Sequence, residues 1–144
     1  MQAVFPETNR ITTPIVRWSR RPGEVERDFH EIDGIIVPFN KTPVDIACGP
    51  FYEVRWAFGC YFDCAYSYLR GTALGAMTPR YRSVPSVLRA LDKAFTLIVN
   101  PTIFNSGELS DSLMNPSRME PIVNKFEEQN RHKLFLLTKS SNVK

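Results

Sequence analysis

The sequence predicts an α/β fold in which about three parallel strands alternate with two helices. Short segments rich in apolar and β-branched residues recur between residues 51 and 138, and the longer segments between them repeat apolar residues at steps of three and four. Such an alternation of strand and helix is typical of a parallel sheet with right-handed crossovers. At 144 residues, 43% of them hydrophobic, the chain can bury a core of this size.

The first 48 residues predict an irregular extension, because proline interrupts them too often for a long helix. Within it, residues 17–21 (RWSRR) combine an aromatic ring with guanidinium groups, which suits contact with phosphate and stacking on a base. A solvated surface patch is the alternative interpretation. We therefore divide the chain into an extension, residues 1–48, and a core, residues 49–144. The prolines of the extension are Pro6, Pro14, Pro22, Pro38 and Pro43.

The core begins with residues 51–58, whose apolar and aromatic side chains predict a first strand that runs into Gly59 and a cysteine-containing loop. Residues 83–95 predict the first helix, and Pro85 is tolerated there because it falls in the first turn. The apolar residues that recur on one face of this helix are Val84, Val87, Leu88, Leu91 and Phe95.

The second half of the core predicts a strand, a helix and a further strand. Residues 101–105 are interpreted as extended, and residues 115–117 (NPS) open a helix over residues 118–132. Residues 134–138 are a short apolar run, which predicts a third, buried strand.

Composition excludes some classes of protein and leaves others open. The net charge of +3 is too small to indicate nucleic-acid binding by itself. No apolar run reaches the roughly 18 residues of a membrane span, and the N-terminus lacks the charged start and apolar core of a secretory leader. We therefore predict a cytoplasmic protein without a membrane partner. The two histidines, His30 and His132, are interpreted as surface or capping residues.

The three cysteines, Cys48, Cys60 and Cys64, are the main chemical signal. An odd, clustered set suits metal binding in a reducing compartment better than a disulfide framework. In residues 60–69 (CYFDCAYSYL), Ser67 stands where a third thiolate would complete a cluster-binding loop, and iron–sulfur clusters favour soft thiolates over a serine oxygen. The alternatives are two structural thiols or, less well supported, a zinc site. Cys48 is interpreted as a small buried residue.

Three blocks of sequence resemble one family. They are the C-x3-C-x2-S loop with the Tyr68-Leu69 pair after its last position, residues 104–112 (FNSGELSDS) and residues 137–140 (LTKS). In this order they resemble the spore photoproduct lyase-like branch of the radical S-adenosylmethionine (SAM) superfamily, whose members include DNA repair lyases. The resemblance implies the N-terminal portion of a partial (β/α)6 barrel.

The resemblance also implies cofactors and the residues that hold them. Cys60, Cys64 and Ser67 occupy the positions of the ligands to a [4Fe-4S] cluster. In the family, the reduced cluster passes one electron to SAM, which generates a 5'-deoxyadenosyl radical. The glutamate of a Gly-Glu pair accepts from the amino group of SAM, and a lysine after the third strand can pair with its carboxylate. The positions implied in SAM binding are Tyr66, Gly107, Glu108, Ser110 and Lys139.

Two departures from the family pattern limit the expected activity. Ser67 replaces the third thiolate, and Glu108 stands where the lyases carry a hydrogen-donating cysteine. We expect an impaired or inactive enzyme of unassigned substrate. The alternative hypothesis is a degenerate, non-catalytic scaffold that binds nucleic acid, a nucleotide or a partner protein. An open sheet edge also predicts self-association.

Overall fold

The computed structural model describes residues 31–39, 51–72 and 78–141 of the chain. These residues form six short strands, two α-helices and one short 3₁₀ helix, Tyr68–Gly71. In chain order the strands and α-helices are β1 (Ile36–Pro38), β2 (Phe51–Val54), β3 (Ala57–Phe58), β4 (Arg80–Tyr81), α1 (Val84–Leu97), β5 (Ile103–Asn105), α2 (Pro116–Gln129) and β6 (Lys133–Phe135).

Four of the described strands form one open mixed sheet in the order β1-β2-β5-β6. β2, β5 and β6 are parallel, with Tyr52, Phe104 and Leu134 side by side, and α1 and α2 are the crossovers between them. The predicted α/β class, with three parallel strands and two helices, is therefore confirmed. β1 pairs antiparallel with β2, and it lies within the residues that the sequence assigns to the extension.

The predicted first strand over residues 51–58 is wrong in one respect, because a change of direction divides it into β2 and β3. The buried Trp56 indole donates to the Ser106 carbonyl at 3.0 Å, and the backbone N–H of Arg55 donates to the Ile35 carbonyl at 2.8 Å. A buried indole N–H needs an acceptor. The bond to the Ser106 carbonyl, just after the end of β5, holds Trp56 at the point where the chain leaves the four-stranded sheet. β3 then pairs antiparallel with β4.

Helix α1 confirms the first predicted helix and extends two residues further, to Leu97. Ser83 caps its N-terminus, since the Ser83 hydroxyl accepts from the backbone N–H of Ser86 at 3.3 Å. Pro85 lies in the first turn, where the missing N–H removes no intrahelical bond. The buried face of the helix consists of Val87, Ala90, Leu91 and Ala94.

Helix α2 begins at Pro116, earlier than predicted, and ends at Gln129, short of the predicted end at residue 132. Asn115 caps the N-terminus, and Asn130 ends the helix in the left-handed conformation with φ of 47°, a common device at helix C-termini. Each helix has 14 residues, and none in the described part of the chain is long and apolar enough to cross a membrane.

The core lies between the helices and one face of the sheet, and Phe104 of β5 is at its centre. Phe104 is fully buried, and its ring stacks on Tyr52 of β2 with the centroids 5.3 Å apart. Edge-on contacts join Phe104 to Phe95 of α1 at 6.0 Å, to Phe126 of α2 at 5.3 Å and to His132 at 5.4 Å. One ring therefore connects both helices to the parallel strands.

The third strand, predicted to be buried, is a half-exposed edge strand. Phe135 is 51% exposed and Leu137, just after β6, is 43% exposed. Both lie on the face of the sheet opposite the helices, together with Ile103, which is 51% exposed. Leu134 alternates to the other face and packs against the core. The apolar run of residues 134–138 is thus divided between a covered and an uncovered face.

His132 is buried, so its interpretation as a surface or capping residue is wrong. Its ring stacks on Phe95 at 5.3 Å and is 1% exposed, and Nε2 accepts from the Arg131 Nε–H at 3.1 Å. Burial and the adjacent Arg131 lower the pKa of His132 below its usual value. The imidazole is therefore a neutral part of the core. His30 lies outside the described residues.

We expect the free energy of unfolding to decrease as the pH falls below about 6.5, the ordinary pKa of histidine. In that range the unfolded chain takes up a proton that the folded protein, with its lowered His132 pKa, does not. Above about pH 6.5 the imidazole is neutral in both states and adds no pH dependence. Urea denaturation at a series of pH values measures the effect. His132→Phe keeps the stacking and removes the titration, so an unchanged pH dependence in this variant contradicts the prediction.

Candidate functional site

Three segments that are far apart in the sequence meet at the carboxyl ends of the strands. They are residues 59–68 after β3, residues 106–114 after β5 and residues 136–141 after β6, here called the cysteine loop, the turn and the tail. The turn and the tail follow the parallel strands β5 and β6, which end at the same edge of the sheet, so these two segments lie together. The cysteine loop follows β3, outside that sheet, and hydrogen bonds bring it against the turn. All the residues that the sequence singled out for cofactor binding are in these three segments.

Hydrogen bonds hold the cysteine loop against the turn. The backbone N–H of Gly59 donates to the Leu109 carbonyl at 3.0 Å, and the Tyr61 hydroxyl donates to the Met114 carbonyl at 2.7 Å. Gly59 has a φ of 85°, a conformation that glycine adopts without strain. The start of the cysteine loop is therefore positioned by the backbone of the turn.

A second set of hydrogen bonds joins the turn to the tail. The Ser112 backbone N–H donates to the Leu137 carbonyl at 2.9 Å, and the Ser112 hydroxyl accepts from the Leu137 N–H at 2.9 Å. The hydroxyls of Ser106 and Ser112, both buried, lie 2.8 Å apart. This buried pair connects the end of β5, the turn and the tail.

Asp111, which the sequence did not assign to a site, organises the start of the tail. Its carboxylate accepts from the Thr138 hydroxyl at 2.8 Å, from the Leu113 backbone N–H at 2.9 Å and from the Lys139 backbone N–H. Asp111 is buried, and charge-assisted bonds of this kind are stronger than neutral ones. The sequence feature that could have indicated a role for Asp111 is its place in a Ser-Asp-Ser run shortly after a predicted strand.

Gly107 lies at the closest approach of the turn and the tail. A Cβ atom built on Gly107 would overlap the Cβ of Leu137 and would lie 3.2 Å from the Leu137 carbonyl oxygen. The Gly107 N–H donates to the Asn105 Oδ1 at 2.9 Å. The absence of a side chain at Gly107 therefore allows the tail to pass next to the end of β5.

Cys60 and Cys64 are free thiols and are partly exposed in the cysteine loop. Ser67 has a structural role: its hydroxyl caps the 3₁₀ helix by accepting from the Leu69 N–H at 3.3 Å, and its own N–H donates to the Cys64 carbonyl at 2.9 Å. Within residues 31–39, 51–72 and 78–141 no group of three His, Cys, Asp or Glu side chains could hold a metal ion. Cys48 lies outside these ranges.

Tyr66 and Lys139 lie together at the surface of the site. The Lys139 Nζ is 5.2 Å from the centre of the Tyr66 ring, a cation–π contact between the cysteine loop and the tail. Tyr66 is 74% exposed, so one face of a planar side chain is open to a ligand. Two residues that the sequence assigned to SAM are thus adjacent.

Tyr68 joins the cysteine loop to Glu108. Its hydroxyl donates to the Glu108 carbonyl oxygen and lies 3.4 Å from Glu108 Oε1. Partial burial, together with the carboxylates of Glu108 and Glu53, raises the pKa of Tyr68 to about 12. The phenol is therefore protonated, and able to donate, throughout the physiological pH range.

Ser110 is the most enclosed of the residues that the sequence assigned to the site. It is 3% exposed, and its hydroxyl has no hydrogen-bond partner in the part of the chain that the structure describes. A buried hydroxyl without a partner is unfavourable, so a bound polar group that completes its hydrogen bonding would be stabilised there.

Comparisons with protein-family models, with curated proteins and with solved structures find no match to this chain.

Gly107→Ala should lower the free energy of unfolding by about 1–3 kcal/mol, because the added methyl group overlaps Leu137. Equilibrium denaturation measures the loss. Gly71→Ala is the matched control: a Cβ there meets nothing within 4 Å, so the expected change stays within about 0.5 kcal/mol. Equal losses in the two variants would contradict the close approach of turn and tail.

Glu108→Gln should lower the pKa of Tyr68 from about 12 toward the ordinary value of 10.0, because one of the carboxylates that disfavour the phenolate is then neutral. Carbon-13 labelling of the tyrosine ring allows this titration to be followed by NMR. Glu120→Gln makes the same change at an exposed position of α2 and should leave the Tyr68 titration as it is in the wild type. A Tyr68 pKa that does not respond to Glu108→Gln excludes the contact.

Proposed function

We propose that the chain is the N-terminal part of a radical SAM protein of the spore photoproduct lyase-like type, with its cofactor site where the segments that follow β3, β5 and β6 meet. One observation carries the proposal. The three sequence blocks that resemble the family, separated by helices α1 and α2, come together in the cysteine loop, the turn and the tail. On this proposal β2, β5 and β6 are the first three strands of the partial barrel.

The donor set fits an iron–sulfur cluster at two of the three ligand positions. Cys60 and Cys64 would hold the cluster through soft thiolates on a partly exposed loop. Ser67 offers a hydroxyl, which is a harder donor and already caps the 3₁₀ helix. Because iron–sulfur clusters favour soft thiolates over an oxygen donor, a cluster held in part by Ser67 is expected to be labile. When bound, such a cluster supplies one electron for the reductive cleavage of SAM.

The residues around the loop have the chemistry to bind and orient SAM. The Glu108 carboxylate pairs with the ammonium group, and the Lys139 ammonium pairs with the carboxylate of the same amino-acid moiety. Tyr66 offers an aromatic face to the adenine, and the buried Ser110 hydroxyl gains a partner. Because Gly107 has no side chain, the tail can pack against the turn beside the site. The substrate is unassigned, because the hydrogen-donating cysteine of the lyases is replaced by Glu108.

A degenerate, non-catalytic scaffold is the second candidate, and the role of Ser67 favours it. A serine that caps the 3₁₀ helix is explained without any metal. The uncovered face beside the β6 edge, with Ile103, Phe135 and Leu137, then suits a partner protein or a second copy of the chain. Binding of nucleic acid or a nucleotide is the other form of this hypothesis. Both candidates are consistent with a cytoplasmic protein, where thiols stay reduced.

Reconstitution with iron and sulfide in the absence of oxygen distinguishes the two candidates. We expect Ser67→Cys to hold a four-iron cluster whose electron paramagnetic resonance signal shifts when SAM is added, because a third thiolate completes the ligand set. The wild-type chain should hold a smaller amount of iron, which is lost more readily to a chelator. Iron content, absorption and resonance spectra with and without SAM give the result.

The control is the double variant Cys60→Ala and Cys64→Ala, which should bind only the background amount of iron. If Ser67→Cys binds no more iron than this control, the cluster proposal is wrong and the scaffold hypothesis replaces it.

A further inference from the structure

The Asp111 carboxylate is buried beside the tail, and both of its oxygens accept hydrogen bonds there or in the turn. Oδ2 accepts from the Lys139 backbone N–H, and Oδ1 accepts from the Thr138 hydroxyl at 2.8 Å and from the Leu113 N–H at 2.9 Å. Three different groups supply the three protons. The carboxylate therefore holds the tail on the turn with both oxygens.

Asp111 also determines the course of the backbone on both sides of Lys139. The Thr138 hydroxyl, which donates to Asp111, accepts in turn from the Ser140 N–H at 2.9 Å. Hydrogen bonds to an ionised acceptor are strong, and water competes little for a carboxylate that is 7% exposed. The Lys139 Cα is therefore held in place although this residue lies after the last strand, on an exposed segment.

The Lys139 side chain extends from this fixed point over the exposed ring of Tyr66. Its Nζ lies 5.2 Å from the centre of the ring. Within the part of the chain that the structure describes, no carboxylate forms an ion pair with Lys139, and this includes the nearby Asp111. An ammonium group has three N–H donors, and a carboxylate is a stronger acceptor for them than an aromatic face. The ammonium is therefore available to an anionic group of a ligand.

We infer that Asp111 is a positioning residue, which holds the tail so that the Lys139 ammonium meets the carboxylate of an α-amino-acid ligand. The inference rests on the proposed function, in which that ligand is SAM. An anchored backbone leaves only the Lys139 side chain to be ordered when the ligand binds, which lowers the entropic cost of the ion pair. Because the oxygens of Asp111 accept from the turn and the tail, this carboxylate does not compete with the ligand for the ammonium.

Asp111→Asn is the variant that tests the anchor. An amide has one acceptor oxygen, and its NH2 group is a donor. If the oxygen stays with the Thr138 hydroxyl, the NH2 group faces the Lys139 N–H and that hydrogen bond is lost. The opposite orientation loses the bond to Thr138 instead. Asp92→Asn is the matched control, because it makes the same change at an exposed position of α1.

Two ligands separate positioning from a general structural effect. Decarboxylated SAM keeps the nucleoside, the sulfonium and the ammonium group of SAM but lacks the carboxylate that Lys139 would meet. Isothermal titration calorimetry with the iron-free chain gives the affinity for each ligand, because the carboxylate then has only protein groups to bind. If SAM binds only after reconstitution with iron, the same comparison is made on the reconstituted chain.

We expect Asp111→Asn to lower the preference for SAM over decarboxylated SAM at least about twofold. Lys139→Met should lower the same preference about three- to tenfold. Adding Asp111→Asn to Lys139→Met should have no further effect on the preference, since the two residues act as a unit. The loss of the Asp111 charge by itself predicts the opposite sign, because a negative charge near the site repels the ligand carboxylate.

The anchor can also be measured without any ligand. Because the Lys139 Nζ lies over the Tyr66 ring, the ring current shifts the NMR signals of the adjacent methylene protons, and Tyr66→Leu identifies this shift. Asp111→Asn should reduce the shift. Thr138→Val removes one donor to Asp111 without a change of charge, and it should have a smaller effect in the same direction on the shift and on the preference for SAM. This variant serves as the test if Asp111→Asn does not fold.

The remaining results distinguish failure of the inference from failure of the proposed function. If the wild type binds SAM but the Asp111 variant leaves either the ring-current shift or the preference for SAM as it is in Asp92→Asn, the positioning role is wrong and the proposed function stands. An equal loss of affinity for the two ligands has the same meaning. If the wild type binds no SAM, with or without reconstituted iron, the proposed function fails and the inference fails with it.

Discussion

The position of the Phe104 ring is the constraint on which the rest of the structure depends. It is the central side chain of the central parallel strand, and rings from β2, α1 and α2 pack directly against it. Aromatic rings in such edge-on and offset contacts are held firmly in both distance and orientation. Because Asn105, Ser106 and Gly107 follow directly along the chain, fixing Phe104 also fixes where the turn leaves the sheet.

The class of fold could be predicted from the sequence because it depends on local periodicity. Val87 and Leu91 of α1 and Met119 and Ile122 of α2 recur at helical spacing, and all four are buried against the sheet. The helix ends were less accurate, since Asn130 ends α2 through a backbone conformation that the apolar pattern does not encode.

Features that depend on distant contacts were not predicted. The division of the first strand depends on the bond from Trp56 to Ser106, fifty positions away in the sequence. His132 is buried because Phe95 of α1 stacks on it, and the exposure of Phe135 follows from the position of β6 at the sheet edge. None of these contacts changes the spacing of apolar residues, so periodicity contains no information about them.

The candidate site shows the same division between local and distant information. Gly107, Glu108 and Lys139 were found because each lies in a short block that resembles a family. The Asp111 bonds to the tail and the Ser106–Ser112 hydrogen bond were not predicted. They join residues that come close together only when the strands are paired in register. Ser67 appeared from the sequence to be a defective ligand, and the structure adds a helix-capping role for the same hydroxyl.

The placement of β6 at the sheet edge has a consequence for how the site forms and how it is lost. Edge strands with half-exposed side chains open more often than central strands, in local fluctuations well below the energy of global unfolding. β6 leads directly into the tail, so each opening of this edge removes Lys139 from Tyr66 and Leu137 from Gly107. Parallel strands also pair late, because each pairing must wait for its crossover helix. The site is therefore lost whenever this edge of the sheet opens locally, and amide hydrogen exchange at Leu137 reports on its integrity.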